Sequence, residues 1–365
     1  MKEKERFINL SSVLAKQALY NLLIGERSNG KTFAVLEHAL TEYWKNGSEL
    51  AYIRRWADDF KQKRGAELFS SLEAKGKISK ITGGVWTTTH YYSGKWFLAR
   101  YNEEGKKELS EKPFAYAFAL TAMEHDKSIS FPNIRTIVFD EFLTRNGYLP
   151  NEFVLFMNTL STIIRERDDV KIFMCGNTVN VYAPYFKEMG ITNIKNMKQG
   201  DIDVYEYGSS GLRVAVYFTD GVKGGKKSDV YFAFNNPHLS MITGKGSIWE
   251  LDIYPHLPVK YVPRQVLFIY FIAFDGELLQ CDVVQDKSAI FTYIHRKTTP
   301  LKKPEKDLIF TLQHSHLPNW RRNIKTPPDT LGKKIYSMYV QDKIFYQDNE
   351  VGEIVRNYLM ACKSA

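Results

Sequence analysis

The residues GERSNGKT, Gly25–Thr32, satisfy the pattern GxxxxGK[ST] at every fixed position. Such a run suits a phosphate chain. Gly25 and Gly30 let the backbone turn its N–H groups inward, and Glu26, Arg27, Ser28 and Asn29 supply the N–H groups between them. A helix starting at this point adds positive potential. Lys31 then reaches the β- and γ-phosphates, and the Thr32 hydroxyl becomes a ligand for Mg²⁺. The chemistry expected here is binding of ATP with Mg²⁺. The bland alternative is a glycine-containing turn. It fits the flanks poorly, because the apolar run Leu19–Ile24 reads as a buried strand and the residues after Lys31 read as a helix.

About 110 residues further on comes TIVFDEF, Thr136–Phe142, a short apolar strand ending in two acids. Acids at the C-terminal end of a strand lie where a parallel sheet presents its ligand site. Asp140 is expected to hold the Mg²⁺ through water, and Glu141 to orient and deprotonate an attacking water. Phosphate transfer to a small molecule needs no such glutamate, so the pair favours hydrolysis. Arg165, in STIIRERDD, is a candidate to neutralise the γ-phosphate in the transition state from a neighbouring subunit. Arg167 is its rival, and the bland reading of both is a solvated basic helix end. Asn177 follows the strand Val170–Cys175 and can contact the water or the γ-phosphate; otherwise it is a turn residue. Arg54 and Arg55 end the strand after the first helix and could face the same phosphates, or form a basic surface loop.

These residues need a scaffold that brings strand ends together. Apolar positions Phe33, Leu36, Leu40, Tyr43 and Trp44 recur at helical spacing from Lys31 to Asn46, with Gly47 placed to stop the helix. Glu49–Arg55 reads as the next strand, and Trp56–Ala74 as a helix flawed at Gly65. Residues 78–110 read as an inserted hairpin with turns at Ser93-Gly94 and Glu104-Gly105. Arg135–Phe139 is a strand. Asn151 is placed to cap a helix running to about Arg167, and Val170–Cys175 is another strand. Alternating strands and helices imply a parallel sheet with crossover helices. After residue 200 the helical signal fades. From about Pro263 a β-rich unit begins, its first two strands joined by an Asp275-Gly276 turn.

The 365 residues suffice for two or three domains. The longest clean apolar run, Val266–Phe274, is about half a bilayer span, so no membrane partner is expected. The N-terminus has no apolar segment of the kind that exports a chain. Cys175, Cys281 and Cys362 stand far apart, which argues against zinc or disulfides. His314 and His316 would share a face on a strand, the weakest of metal hints. Net charge is +9, of which +6 falls in residues 207–365, compatible with a polyanionic partner. Lys106, Lys107, Lys223, Lys226, Lys227, Lys302 and Lys303 are loop lysines that could grip the phosphates of a polyanion, each also readable as ordinary surface.

In their order and spacing, IGERSNGKT, YIRRW, IRTIVFDEF, YLPNE and IIRERDDVKIFMCGNTVNVYAPYF resemble the DNA-packaging ATPases of φ29-like tailed phages. The resemblance covers about residues 17–187. It implies an α/β P-loop ATPase domain of the additional-strand catalytic-glutamate kind over residues 1–205, with Lys31, Thr32, Asp140 and Glu141 at its nucleotide and hydrolysis positions and Arg165 as a trans-acting arginine finger. It further implies a linker at 206–255 and a ribonuclease-H-like domain without its catalytic acids at 256–365. A homopentameric ring on the portal of a procapsid would drive double-stranded DNA inward, with a packaging RNA as a further partner, in the host-cell cytoplasm. One departure stands out: where the family can carry a lysine after its YxRR segment, this chain has Ala57, so Arg54 or Arg55 takes that role or it is absent. Three other readings stay open: a helicase-like translocase, a nucleotide-gated scaffold without turnover, and a terminase whose C-terminal domain keeps nuclease acids among Asp275, Glu277, Asp282 and Asp286.

Overall fold

The computed structural model describes residues 8–362, apart from 28, 123–129, 146, 209–210, 221–253, 258–259 and 288. The chain divides into two compact units, Met1–Asp229 and Val230–Ala365.

The first unit is built on one mixed sheet. After a short helix α1 (Ser11–Leu14), the apolar run before the P-loop forms β1 (Tyr20–Gly25), buried along nearly its whole length. Helix α2 (Lys31–Asn46) follows directly and ends at Gly47, whose left-handed φ of 76° closes the last turn. Strand β2 (Glu49–Arg54) comes next. The segment Trp56–Ala74 is not the single helix its composition suggests. It breaks into a 3₁₀ turn at Ala57–Phe60, α3 (Lys63–Ala66), a second 3₁₀ turn at Glu67–Phe69 and α4 (Ser70–Ala74), before α5 (Lys77–Ile81). Packing at Gly65 explains the break: a Cβ there would lie 2.5 Å from the Tyr91 ring, and the Gly65 carbonyl accepts from the Trp96 indole at 2.8 Å.

The expected hairpin is β3 (Thr88–Tyr92) and β4 (Lys95–Tyr101), with β5 (Lys107–Leu109) added to β4. Both turn residues have positive φ, 48° at Ser93 and 75° at Gly94. The sheet continues with β6 (Ala115–Ala119), β7 (Ile134–Asp140), β8 (Lys171–Asn177), β9 (Ile202–Tyr207) and β10 (Leu212–Phe218), in the order β3-β4-β6-β2-β7-β8-β1-β10-β9. From β6 to β10 all neighbours run parallel. Strand β8 thus lies between β1 and the acid-bearing β7. Helix α6 (Glu152–Ile164) joins β7 to β8, and α7 (Pro184–Glu188) follows. Asn151 does not cap α6 with its side chain; its φ is 55°, and the Glu152 carboxylate instead turns back to accept from Leu149 N at 2.7 Å.

Two details depart from the sequence reading. Strand β6 escaped it, although Ala115–Ala119 pairs along the whole C-terminal half of β2. A boundary at 205 cuts through β9, and β10 lies beside β1, so residues 206–218 complete the first sheet instead of linking two domains. Most of the rest of the expected linker, 221–253, lies outside the described residues, as do Lys223, Lys226 and Lys227.

The second unit carries a six-stranded sheet of β11 (Val266–Phe274), β12 (Glu277–Asp286), β13 (Ala289–Arg296), β14 (Ile309–Thr311), β15 (Trp320–Arg321) and β16 (Ile344–Tyr346). The order is β15-β14-β11-β12-β13-β16. Strands β11, β12 and β13 form an antiparallel meander, and β14 runs parallel to β11 with β15 parallel to β14. At the other edge β16 runs parallel to β13. Helices α8 (Thr330–Val340) and α9 (Asn349–Ala361) are capped by Asp329 and Asp348, whose carboxylates accept from Gly332 N and Val351 N. Among the described residues no helix is long and apolar enough to cross a membrane. His314 and His316 sit in an exposed loop after β14, not on a strand.

Candidate nucleotide site

The parallel register delivers the site. Strands β1, β8 and β7 end side by side, with Gly25 opposite Asn177 and Asp140 opposite Cys175. A cavity of about 230 Å³ opens at these ends, lined by Asn29 to Phe33, by Asp140 and Glu141, and by Cys175 to Asn177.

Lys31 lies at its centre and is 5% exposed. Its ammonium donates to the carbonyls of Gly25 (3.1 Å) and Glu26 (2.7 Å) and to the side-chain oxygens of Asn29 (2.9 Å) and Asn177 (3.1 Å). Burial lowers its pKa from 10.5 to about 8, against the partial support of nearby negative groups including Asp140. The Thr32 hydroxyl donates to Asp140 Oδ1 at 2.9 Å. Asp140 Oδ2 receives the Tyr52 hydroxyl at 2.6 Å and Arg54 Nη1 at 3.2 Å. Glu141 is exposed, held by Arg54 Nη2 at 2.8 Å, with a left-handed φ of 56°. Glu26 and Arg27 are exposed on the outer side of the loop, and Ser28 lies outside the described residues.

The two arginines part company at the end of β2: Arg54 is its last residue and Arg55 lies in the bend that follows. Arg54 turns to the cavity and bridges Asp140, Glu141 and Asp59. Arg55 turns inward to a buried bidentate pair with Glu152, both bonds 2.7 Å. Of the two, Arg54 is therefore the basic group beside the two acids of the cavity. Arg165 is exposed at the C-terminal end of α6 with a φ of 53°. Its rival Arg167 is consumed locally, donating to the carbonyls of Phe131, Pro132, Ile134, Ile163 and Ile164.

Three residues of this site escaped sequence reasoning. Tyr52 reaches Asp140 because β2 pairs with β7; two residues before Arg54, it shares that residue's face, which was the available signal. Thr219, fully buried after β10, accepts from Asn29 Nδ2 at 2.6 Å and donates to Ile24 O at 3.0 Å. A Cβ on Gly25 would lie 2.1 Å from the Thr219 hydroxyl, so the first loop glycine is required by packing. Glu152 is the lone charged residue of its helix, at its first position.

In the second unit the four candidate nuclease acids are engaged separately. Asp275 forms a turn with φ 51°, Glu277 pairs with Arg296, Asp282 accepts from Tyr261 and Gln280, and Asp286 accepts from Gln265. Among the described residues no three of His, Cys, Asp and Glu form a metal-holding group, and the three cysteines are buried and free. Lys302 and Lys303 are exposed, Lys106 pairs with Glu104, and Lys107 lies over the Tyr101 ring.

The strand order with β8 between β1 and β7, and a P-loop facing an Asp-Glu pair, define the first unit as a P-loop fold of the additional-strand type. Residues 2–207 match the family described as Podovirus DNA encapsidation protein (Gp16), and the chain belongs to that family. The DNA packaging proteins of Bacillus phages PZA and phi29 are each 27% identical to it over 187 residues, half of this chain and half of theirs. The chain thus spans about half the length of the curated relatives it matches. Across nearly the full chain the fold resembles two solved structures, each 18% identical: the Phi-28 gp11 DNA packaging motor (TM-score 0.53, covering 99% of this chain and 100% of that one) and the bacteriophage Phi-29 viral genome packaging motor assembly (TM-score 0.54, 97% of each).

Proposed function

We propose that this chain is a subunit of a ring-shaped homo-oligomeric motor that hydrolyses ATP to drive double-stranded DNA into a viral procapsid. The observation carrying this reading is the convergence of Lys31, Thr32, Asp140 and Glu141 on one cavity at the ends of β1 and β7. Family membership supports DNA packaging as the task. The procapsid portal, a packaging RNA, a five-membered ring and a site of action in the host cytoplasm are taken from the family resemblance.

The donor set suits Mg²⁺. A hydroxyl and a carboxylate oxygen are hard ligands, and at 2.9 Å the two are close enough to share one ion's shell, Asp140 directly or through water. Thr32 and Asp140 would hold the ion, which would supply positive charge to offset that of the phosphates. Tyr52 and Arg54 fix the other Asp140 oxygen and so aim the first. Lys31, satisfied in the free protein by carbonyls and amides, exchanges those partners for phosphate oxygens. Glu141 positions the attacking water and takes its proton, after Arg54 has released the carboxylate. Arg165 lies at the far end of α6, about 20 Å along the helix axis from Glu152. It serves the site of the next subunit, where its charge stabilises the transition state.

The test is steady-state ATP turnover against protein concentration, with and without double-stranded DNA, and with Arg165→Ala chains mixed in. Turnover that rises more steeply than linearly, responds to DNA and falls disproportionately with the variant supports the ring. Turnover linear in concentration and indifferent to DNA and variant overturns it.

A further inference from the structure

We propose that Arg55 is a positioning residue for hydrolysis, clamping the backbone of Glu141 onto a buried anchor, Glu152. This deepens the hydrolytic reading and rests on it. Arg55 is 7% exposed and spends its fork on four bonds. Nε and Nη2 grip the two Glu152 oxygens, while Nη1 donates to the carbonyl of Glu141 and Nη2 to that of Phe142, both at 3.1 Å. The rings of Phe139 and Tyr148 flank the guanidinium at 6.0 and 5.4 Å.

The backbone so held needs holding. Glu141 is not a glycine, yet its φ is 56°, in the left-handed region that non-glycine residues seldom adopt. That conformation turns the chain sharply after β7 and decides where the Glu141 carboxylate sits relative to the cavity. On its other side Glu152 is saturated: besides Arg55 it accepts from the Tyr185 hydroxyl and from Leu149 N, each at 2.7 Å. It has no capacity left to act as a base, so its role is to be an anchor. A buried ion pair adds little net stability over an apolar pair of the same shape. Its distinctive product here is geometry: a planar fork can bind one carboxylate and two neighbouring carbonyls at once, and a lysine cannot. Because Glu152 also begins α6, the same anchor fixes the start of the helix that carries Arg165.

The experiment uses the full chain with three conservative variants, Arg55→Lys, Glu152→Gln and Tyr185→Phe. Each is measured for thermal midpoint, for equilibrium affinity for a non-hydrolysable ATP analogue, and for DNA-stimulated kcat and KM. The expected result is affinity and KM within about twofold of wild type, with kcat about 10- to 100-fold lower in Arg55→Lys and Glu152→Gln. Tyr185→Phe, which leaves the clamp itself in place, should lose less than fivefold. A folded Arg55→Lys or Glu152→Gln with wild-type kcat overturns the proposal, as does a loss of affinity equal to the loss of kcat. If none of the three folds, the pair is a packing element and the proposal fails. Should the wild type bind the analogue and yet hydrolyse nothing, the hydrolytic reading itself falls, an outcome distinct from a working wild type with indifferent variants.

Discussion

Lys31 shows how far a single residue carries the chemistry. Its charge is buried without an adjacent carboxylate bond, so its pKa sits near 8 in the free protein. Phosphates would raise it, which makes binding proton-linked: the ATP affinity is expected to weaken above about pH 8, by up to tenfold per pH unit, as Lys31 arrives uncharged. Calorimetric titration in buffers of different ionisation heat checks this through the protons taken up. The sign for stability is opposite. The unfolded chain holds the proton up to 10.5, so the Lys31 contribution to folding is complete above that value and is lost as pH falls through about 8. The expected span is about 3 kcal/mol. Urea midpoints of wild type and Lys31→Met at pH 7 and pH 10 isolate it, and the wild type should gain on the variant as pH rises. Gly25→Ala offers a contrast free of charge. Its Cβ collides with Thr219 and Asn29, and the expected cost is about 1–3 kcal/mol together with loss of nucleotide binding, read by melting with and without ATP analogue.

At the scale of elements, β7 and α6 form one device. The strand ends in the two acids, the turn is pinned by Arg55, and the helix begins at the Glu152 anchor. Truncating that anchor strands a buried guanidinium, so Glu152→Ala is expected to cost about 3–5 kcal/mol, measurable by chemical denaturation. The P-loop, its helix and the Asp-Glu strand were legible in the sequence because each is a local pattern, with Gly, apolar and acidic residues at fixed spacing. Helix α2 matches its expected limits for the same reason. Tyr52, Thr219 and Glu152 were not legible, since their roles arise from pairings between strands and helices far apart in sequence. The broken segment 56–74 failed for a related cause: its helical composition is overridden by the Trp96, Tyr91 and Phe69 cluster that packs against Gly65. Arg54 and Arg55 looked equivalent as letters, and the end of β2 between them separates their directions.

For the molecule as a whole, the two units have separate sheets and separate cores, Leu10 to Phe218 in one and Tyr270 to Cys362 in the other. Units with their own cores can melt separately. Scanning calorimetry is expected to resolve two transitions, with a non-hydrolysable ATP analogue and Mg²⁺ raising only the one belonging to the first unit. A single transition shifted as a block would show that the units unfold together.

The place of β10 bears on how the protein is made. Strand β1 leaves the ribosome before both of its parallel partners, residues 171–177 and 212–218. The hydroxyl that props the P-loop, on Thr219, is later still. A nascent chain therefore cannot close this loop until some 190 further residues have been synthesised, and the open edge of β1 must wait through that interval. Pairings so distant in sequence form slowly, and unpaired strand edges are sticky while they wait. Closure of the loop is thus deferred until the sheet around it is whole.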